Sequence, residues 1–380
     1  MLVLALTACG GSGTQVTDTG TSSGAWDWAR DAGLPASFPV PAVPADNPMS
    51  TAKVELGRFL FYDKRLSGNG TQACAGCHQQ GKAFTDGRLT ALGSTGEAHP
   101  RNSQSLGNVA YNATLTWANP LLLELERQME TPLFGENPVE MGINNANQAE
   151  VLARLAGDAS YPAMFAAAYP GDNAPYTWKN VIYAIASFQR TLLTADSRYD
   201  RWLRGQTVLS NAEMRGMNLF NTEKAECFHC HSDFNFNDQV RFAGSRLVTT
   251  PFHNTGLYNI DGAGGFPFPN RGLFELTAKA SDMGKFRAPS LRNVAVTGPY
   301  MHDGSMATLE DVLDFYAAGG RVIASGPLAG DGRANPYKSD LIPRIDLNAQ
   351  DKADLIAFLR TLTDDRLLTD PKLADPFATR

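Results

Sequence analysis

Cys74-Ala-Gly-Cys77-His78 and Cys227-Phe-His-Cys230-His231 decide how this chain is read. Two thiols three positions apart can reach the two vinyl groups of one haem, and the adjacent His then presents its imidazole to the iron. A Cys-x-x-Cys pair alone could equally be a redox disulfide or half of a zinc site. Neither explains a His directly after both copies, and an exported chain would tend to oxidise idle thiols. Two covalently bound haem c groups are therefore expected, one per motif. His229, inside the second motif, is read as a surface or propionate-side residue.

Working outward, each motif follows a related string: Gly57-Arg-Phe-Leu60-Phe61 recurs as Gly216-Met-Asn-Leu219-Phe220. Further on, Ile185-Ala-Ser-Phe188-Gln-Arg190-Thr191-Leu192 recurs as Leu355-Ile-Ala-Phe358-Leu-Arg360-Thr361-Leu362. The chain carries one plan twice. Both pieces read as helices. Ser210 and Glu213 form a capping box, Leu56, Phe59 and Leu60 share a face, and Leu355, Phe358, Leu359 and Leu362 form a stripe behind Asp351 and Asp354. Gly/Pro/Asn-rich stretches at 92–108 and 259–272 read as loops. The expected fold is mainly α, with two cytochrome c-like domains and long loops. One domain spans 25–205 and the other 206–364; a polar boundary lies at 195–206 and a tail at 365–380.

With 380 residues and a net charge of −6, the chain has mass for two cores and no basic footprint, so nucleic acid is not an expected partner. No apolar run approaches the roughly 20 residues of a membrane-spanning helix. Leu6-Thr7-Ala8-Cys9 resembles a bacterial lipobox, and residues 10–24 have the Gly/Ser/Thr composition of a flexible tether. Lipidation at Cys9 would hold a periplasm-facing protein to a membrane by an anchor only. No Lys or Arg precedes the apolar stretch, which departs from a signal sequence.

Beyond the Cys motifs, three strings carry a family likeness. They are Pro100-Arg101-Asn102-Ser103, Asn137-Pro-Val-Glu140-Met-Gly142 and Ala288-Pro-Ser-Leu-Arg292-Asn-Val-Ala-Val-Thr297-Gly-Pro299-Tyr-Met-His302-Asp-Gly304. From about Asn47 to Asp364 the chain resembles the bacterial di-haem cytochrome c peroxidase superfamily, which includes MauG. The resemblance implies a peroxide-reactive haem in the first domain, an electron- or hole-storing haem in the second, and a calcium ion and a tryptophan between them. His78 and His231 match the proximal ligands and Trp117 the inter-haem tryptophan. Glu140 matches the distal carboxylate, a base for splitting hydrogen peroxide, with Gln128 and Pro132 as its neighbours. Asn102, Thr297 and Pro299 match the calcium site, whose oxygen donors suit a hard cation.

Two positions select a branch of that family. Fourteen residues beyond His302, where detoxifying peroxidases carry a ligating Met, stands Tyr316. MauG-like proteins have Tyr there, and a phenolate favours high-valent iron where a thioether favours the ferrous state. The alternative is a packed Tyr316, with the iron ligated by Met306 or its position left open. His99 is the one candidate for a His capping the first haem, but it lies too close to Arg101 to align, so a five-coordinate first haem is expected. His253 is read as a structural residue near the second haem. Strings such as Asp46-Asn-Pro-Met-Ser50 and Gly93-Ser-Thr-Gly-Glu97 look closest to the MbnH-like di-haem enzymes, which oxidise a tryptophan of the copper-binding partner MbnP. Ala225 replaces the surface Trp through which MauG passes holes. The resemblance thus implies an oxidase that uses hydrogen peroxide to form a high-valent iron state and oxidises a tryptophan of a partner protein, possible partners including an MbnP-like one. The rival is a periplasmic peroxidase drawing electrons from small cytochrome or cupredoxin donors.

Overall fold

The computed structural model describes residues 25–378; Cys9 and the tether read behind it lie outside the described residues. The fold is mostly helical. Its sheet is one antiparallel pair, Val322–Ile323 and Gly330–Asp331, with Val322 opposite Asp331. The 92–108 and 259–272 stretches are loops. Among the described residues no helix is long and apolar enough to cross a membrane.

The repeated strings are two copies of one helix crossing. Helix Thr51–Tyr62 starts at Ser50, whose side chain accepts from Lys53 N, and it buries Leu56, Phe59, Leu60 and Phe61. It crosses helix Trp178–Arg190, capped by Thr177. At the crossing a Cβ on Gly57 would overlap the Ala184 carbonyl oxygen and press on Phe188. In the second half helix Asn211–Phe220, with its Ser210/Glu213 capping box, crosses helix Ala349–Arg360. There a Cβ on Gly216 would overlap the Asp354 carbonyl and press on Phe358. A glycine inside a helix costs roughly 0.5–1 kcal/mol relative to alanine. Both copies accept that cost because only a hydrogen lets the backbones approach so closely.

Each crossing carries its own apolar core. The first gathers Leu56, Phe61, Phe84, Phe165, Ile185 and Phe188, and the second Phe220, Phe236, Leu313, Leu355 and Phe358. A third cluster, with Leu257, Tyr258, Phe266, Phe286 and Phe315, receives Trp117 from the first half and Tyr316 from the second.

Two local readings, those of Asp354 and of the tail, change in the structure. Asp354 does not serve the helix start; Asp351 completes that capping box with Asn348, and Asp354 is buried under Arg215, whose Nε donates at 2.7 Å. The polar 195–206 stretch carries helix Arg198–Leu203, anchored where Arg292 donates two hydrogen bonds to buried Asp200, at 2.8 and 3.0 Å. The segment from 365 onward, read as a tail, forms helix Asp365–Thr369 and inserts Leu367 and Leu373 into the first core. Tyr62 donates to the Leu373 carbonyl, and Gln80 to those of Leu367 and Asp370. Charged neighbours hid the apolar side chains that make this stretch part of the fold.

Candidate active site

The two Cys motifs fold alike. Cys74–Cys77 is one helical turn and Cys227–His229 a tighter one. In each, the backbone N–H of the terminal His closes the turn on the first Cys: His78 to Cys74 O and His231 to Cys227 O, both at 3.0 Å. Nδ1 of His78 lies 2.8 Å from Phe84 O, and Nδ1 of His231 lies 3.1 Å from Phe236 O. A carbonyl only accepts, so each Nδ1 carries the proton and Nε2 keeps its lone pair for a metal. To turn those carbonyls inward, Phe84 and Phe236 adopt left-handed backbone, with φ of 62° and 51°. Large side chains rarely take that conformation, and it persists where surroundings enforce it. The four thiols form no disulfides. Burial first, and the companion thiol second, push Cys74 up to about 12; burial likewise lifts Cys77 to about 11 and Cys227 to about 12. Neutral thiols are poor disulfide-exchange nucleophiles.

Near the first motif the chain places Glu140, with His99 beside it, and the helix carrying Gln128 and Pro132 borders the Glu140 segment. Helix Leu125–Phe134 carries Gln128 and Pro132 one turn apart. Its carbonyls at Pro132 and Leu133 accept from Met141 N at 2.9 Å and Ile143 N at 3.1 Å, which fixes the Glu140 segment beside it. The helix is held by Glu126, whose carboxylate takes two bonds from Arg190, at 2.8 and 2.7 Å, and one from Asn47 at 2.6 Å. Glu140 lies near enough to raise both first-motif thiols by its charge. Though 36 % of its side chain meets solvent, the packing around its carboxyl is close enough for burial to push it up to about 7. His99 stands beside Glu140, with Nε2 3.8 Å from Oε1 and no hydrogen bond. Nothing in the sequence pairs those two residues, which come from different loops.

A cavity of about 240 Å³ with mostly apolar walls opens between the second motif and helix Leu309–Ala318. Cys227, Cys230, His231 and Tyr316 line it together. Met306 does not; it is buried in the third core, and the thioether that reaches the wall is Met301. Trp117 is also in the wall, with Nε1 donating to Asn102 O at 2.8 Å. The segment beyond Asn102 runs to the first motif, where Ser105 donates to Ala83 O at 2.6 Å, next to the Phe84 carbonyl that holds His78. Asn102, Thr297 and Pro299 share the same wall. Asn102 Nδ2 donates to Arg88 O at 2.7 Å, so the amide is oriented. His253 lines the cavity, fixed by Asp238 at 2.6 Å, whereas His229 stands outside it, paired with Glu226 at 2.8 Å.

These residues fit a haem. A porphyrin needs apolar walls, an imidazole on one face and a cation for its propionates, and the last is a residue the sequence reading missed. Arg287 is buried in the cavity wall with Nη1 unpartnered. Its other nitrogens donate to Thr116 O at 3.1 Å and Gln104 Oε1 at 3.0 Å. Burial alone pulls it down to about 10, against the pull of Asp238. An unpaired buried guanidinium is costly, and a carboxylate in the cavity would satisfy it. Nothing in sequence distinguishes Arg287 from a surface arginine.

Known proteins resemble this chain in sequence and overall fold. Residues 51–208 match the family model described as di-haem cytochrome c peroxidase. The chain is 36 % identical to the cytochrome-c peroxidase IdrP1 of Denitromonas iodatirespirans, over 93 % of this chain and 94 % of that one. It is 31 % identical to the methylamine utilization protein MauG of Methylorubrum extorquens, over 98 % and 97 %. A solved MauG-like protein associated with microbial copper homeostasis superposes with a TM-score of 0.90 at 57 % identity, over 93 % of this chain and 99 % of that one. Members of the family are haem oxidoreductases that work with two haems and peroxide. The chain belongs to the di-haem cytochrome c peroxidase and MauG family.

Proposed function

We propose that this protein is a periplasm-facing oxidase that uses hydrogen peroxide to oxidise a tryptophan side chain of a partner protein. The observation that carries the reading is that Tyr316, at the sequence position where detoxifying peroxidases carry a ligating Met, shares one cavity with His231 and Trp117. Cys74, Cys77 and His78 would hold one haem, and Cys227, Cys230, His231 and Tyr316 the other, forming two domains. A haem at the first motif supplies two-electron reduction of peroxide. Glu140 takes the proton from the bound peroxide and returns it to the departing oxygen, and a carboxyl near 7 is suited to both tasks. Gln128 and Pro132 shape the space beside it. Trp117 carries the oxidising equivalent between the halves. Asn102, Thr297 and Pro299 offer oxygens for a calcium ion that would stiffen the wall around Trp117. Lipidation of Cys9 would keep the enzyme at a membrane surface. The likeness to a protein associated with copper homeostasis supports a copper-binding, MbnP-like partner.

The test is to mix the two-haem protein with peroxide and an MbnP-like copper-binding protein, then map added oxygen on that partner by mass spectrometry. Oxygen on a partner tryptophan is the expected result. Peroxide consumption that needs a reduced small cytochrome or cupredoxin and leaves the partner unmodified would establish the peroxidase reading instead.

A further inference from the structure

Trp117 opens onto a run of aromatic rings that starts in the wall of the second-motif cavity and continues beyond its lining. Its indole meets His302 at 6.5 Å between centroids, edge on. His302 stacks on Phe286 at 3.7 Å and 13°. Phe286 lies 6.4 Å from Phe266, and Phe266 meets the edge of Tyr258 at 5.4 Å. All four residues beyond Trp117 are buried. At the far end Tyr258 donates its phenolic hydrogen to Asp303 Oδ2 at 2.6 Å, while Oδ1 of the same carboxylate accepts from Ser305 N at 3.0 Å. The Arg321 guanidinium sits 5.9 Å from the centre of the Tyr258 ring. That cation disfavours a positively charged phenol, so oxidation of this ring has to release the proton, and Asp303 is in place to take it.

We propose that Tyr258 is a second site where an oxidising equivalent rests. Resting on the relay reading of Trp117, the step is one electron and one proton. Hydrogen peroxide is the oxidant that leaves the Trp117 indole short of an electron. Tyr258 returns that electron along the ring ladder and passes its phenolic proton to Asp303. The products are resting Trp117, a neutral phenoxyl at Tyr258 and a carboxylic acid at Asp303. Two other tyrosines are paired with carboxylates, Tyr161 with Asp63 and Tyr183 with Asp46. Neither joins the ladder from Trp117, so the ladder and the acceptor together single out Tyr258.

The two-haem protein, mixed with peroxide, freeze-quenched and read by electron paramagnetic resonance, should show a tyrosyl radical. That signal should persist in Tyr183→Phe and vanish in Tyr258→Phe. Asp303→Asn removes the proton acceptor and should slow its appearance by roughly 10²-fold. Phe286→Leu, which breaks the stack, and Trp117→Phe should each lower the yield. Flash-quench oxidation with a soluble ruthenium photo-oxidant bypasses peroxide and should still oxidise Tyr258 in Trp117→Phe. An unchanged tyrosyl signal in Tyr258→Phe, an unchanged peroxide-driven signal in Trp117→Phe, or no Tyr258 signal by either route overturns the proposal. Failure of the wider reading shows separately, as a partner that peroxide never modifies.

Discussion

The imidazole of His99 reaches to 3.8 Å from the carboxylate of Glu140 without bonding to it. Burial pushes Glu140 up to about 7 and lowers His99, against the charges of Glu97 and Asp86. Since the carboxylate is the working base, the peroxide reaction should speed up as pH rises through about 7. Stopped-flow rates across pH 5–9 check this, and the step should be absent in Glu140→Gln. The sign for stability is opposite. Folded Glu140 keeps its proton to about 7 while the unfolded chain releases it near 4.5, so its contribution is present below 4.5 and lost as pH passes 7. Glu140→Gln should therefore gain melting temperature relative to the parent at pH 8 and gain nothing at pH 4.

Glu140 and Trp117 should fail differently. Loss of general base assistance in Glu140→Gln should slow the first spectral change with peroxide by roughly 10²–10⁴-fold. Trp117→Phe should leave that change intact while partner oxidation drops far more than peroxide consumption. Parent-rate modification by Trp117→Phe would demote this indole to packing.

Attachment at the two motifs should be independent. The mature protein should retain two haems through acid-acetone extraction, and replacing Cys74 and Cys77 by Ala should lose one. Zinc without iron in a metal analysis would end the haem reading.

At the second haem, the ferric spectrum should contain one low-spin species that disappears in Tyr316→Phe while the high-spin species remains. A low-spin signal indifferent to that substitution moves the ligand elsewhere, and Met301 in the cavity wall is then the thioether to replace next.

The glycine crossings predict a matched pair of defects. Gly57→Ala and Gly216→Ala each drive a methyl into a helix carbonyl, and overpacking of this kind costs about 1–3 kcal/mol. Gly81→Ala, with nothing within 4 Å, is the control and should unfold in denaturant like the parent.

These glycines also mark what could be read in advance. The paired strings revealed that two helices recur in each half, because buried apolar faces repeat with helical period. They did not reveal that Gly57 meets Ala184, since proximity across more than a hundred residues leaves no periodic trace. The Cys motifs were legible because covalent attachment fixes their spacing. The carbonyls that orient His78 and His231 were not, because they depend on left-handed backbone at Phe84 and Phe236, where residue type argues against it. Likewise Tyr316 could be placed by its distance from His302, whereas Arg287 and the His99–Glu140 contact emerge only when separate loops converge.

Leu367 and Leu373 give the first core a late component. A chain leaving the ribosome or a translocon exposes its earlier half first, and domains often fold in that order. Here the first core is complete only once residues beyond 366 are in place, because two of its apolar plugs and the partner carbonyl of Tyr62 come from there. The Gln80 contacts to the same segment lie two residues past His78. Maturation therefore runs against the order of synthesis. The first core is finished by residues made after the second Cys motif.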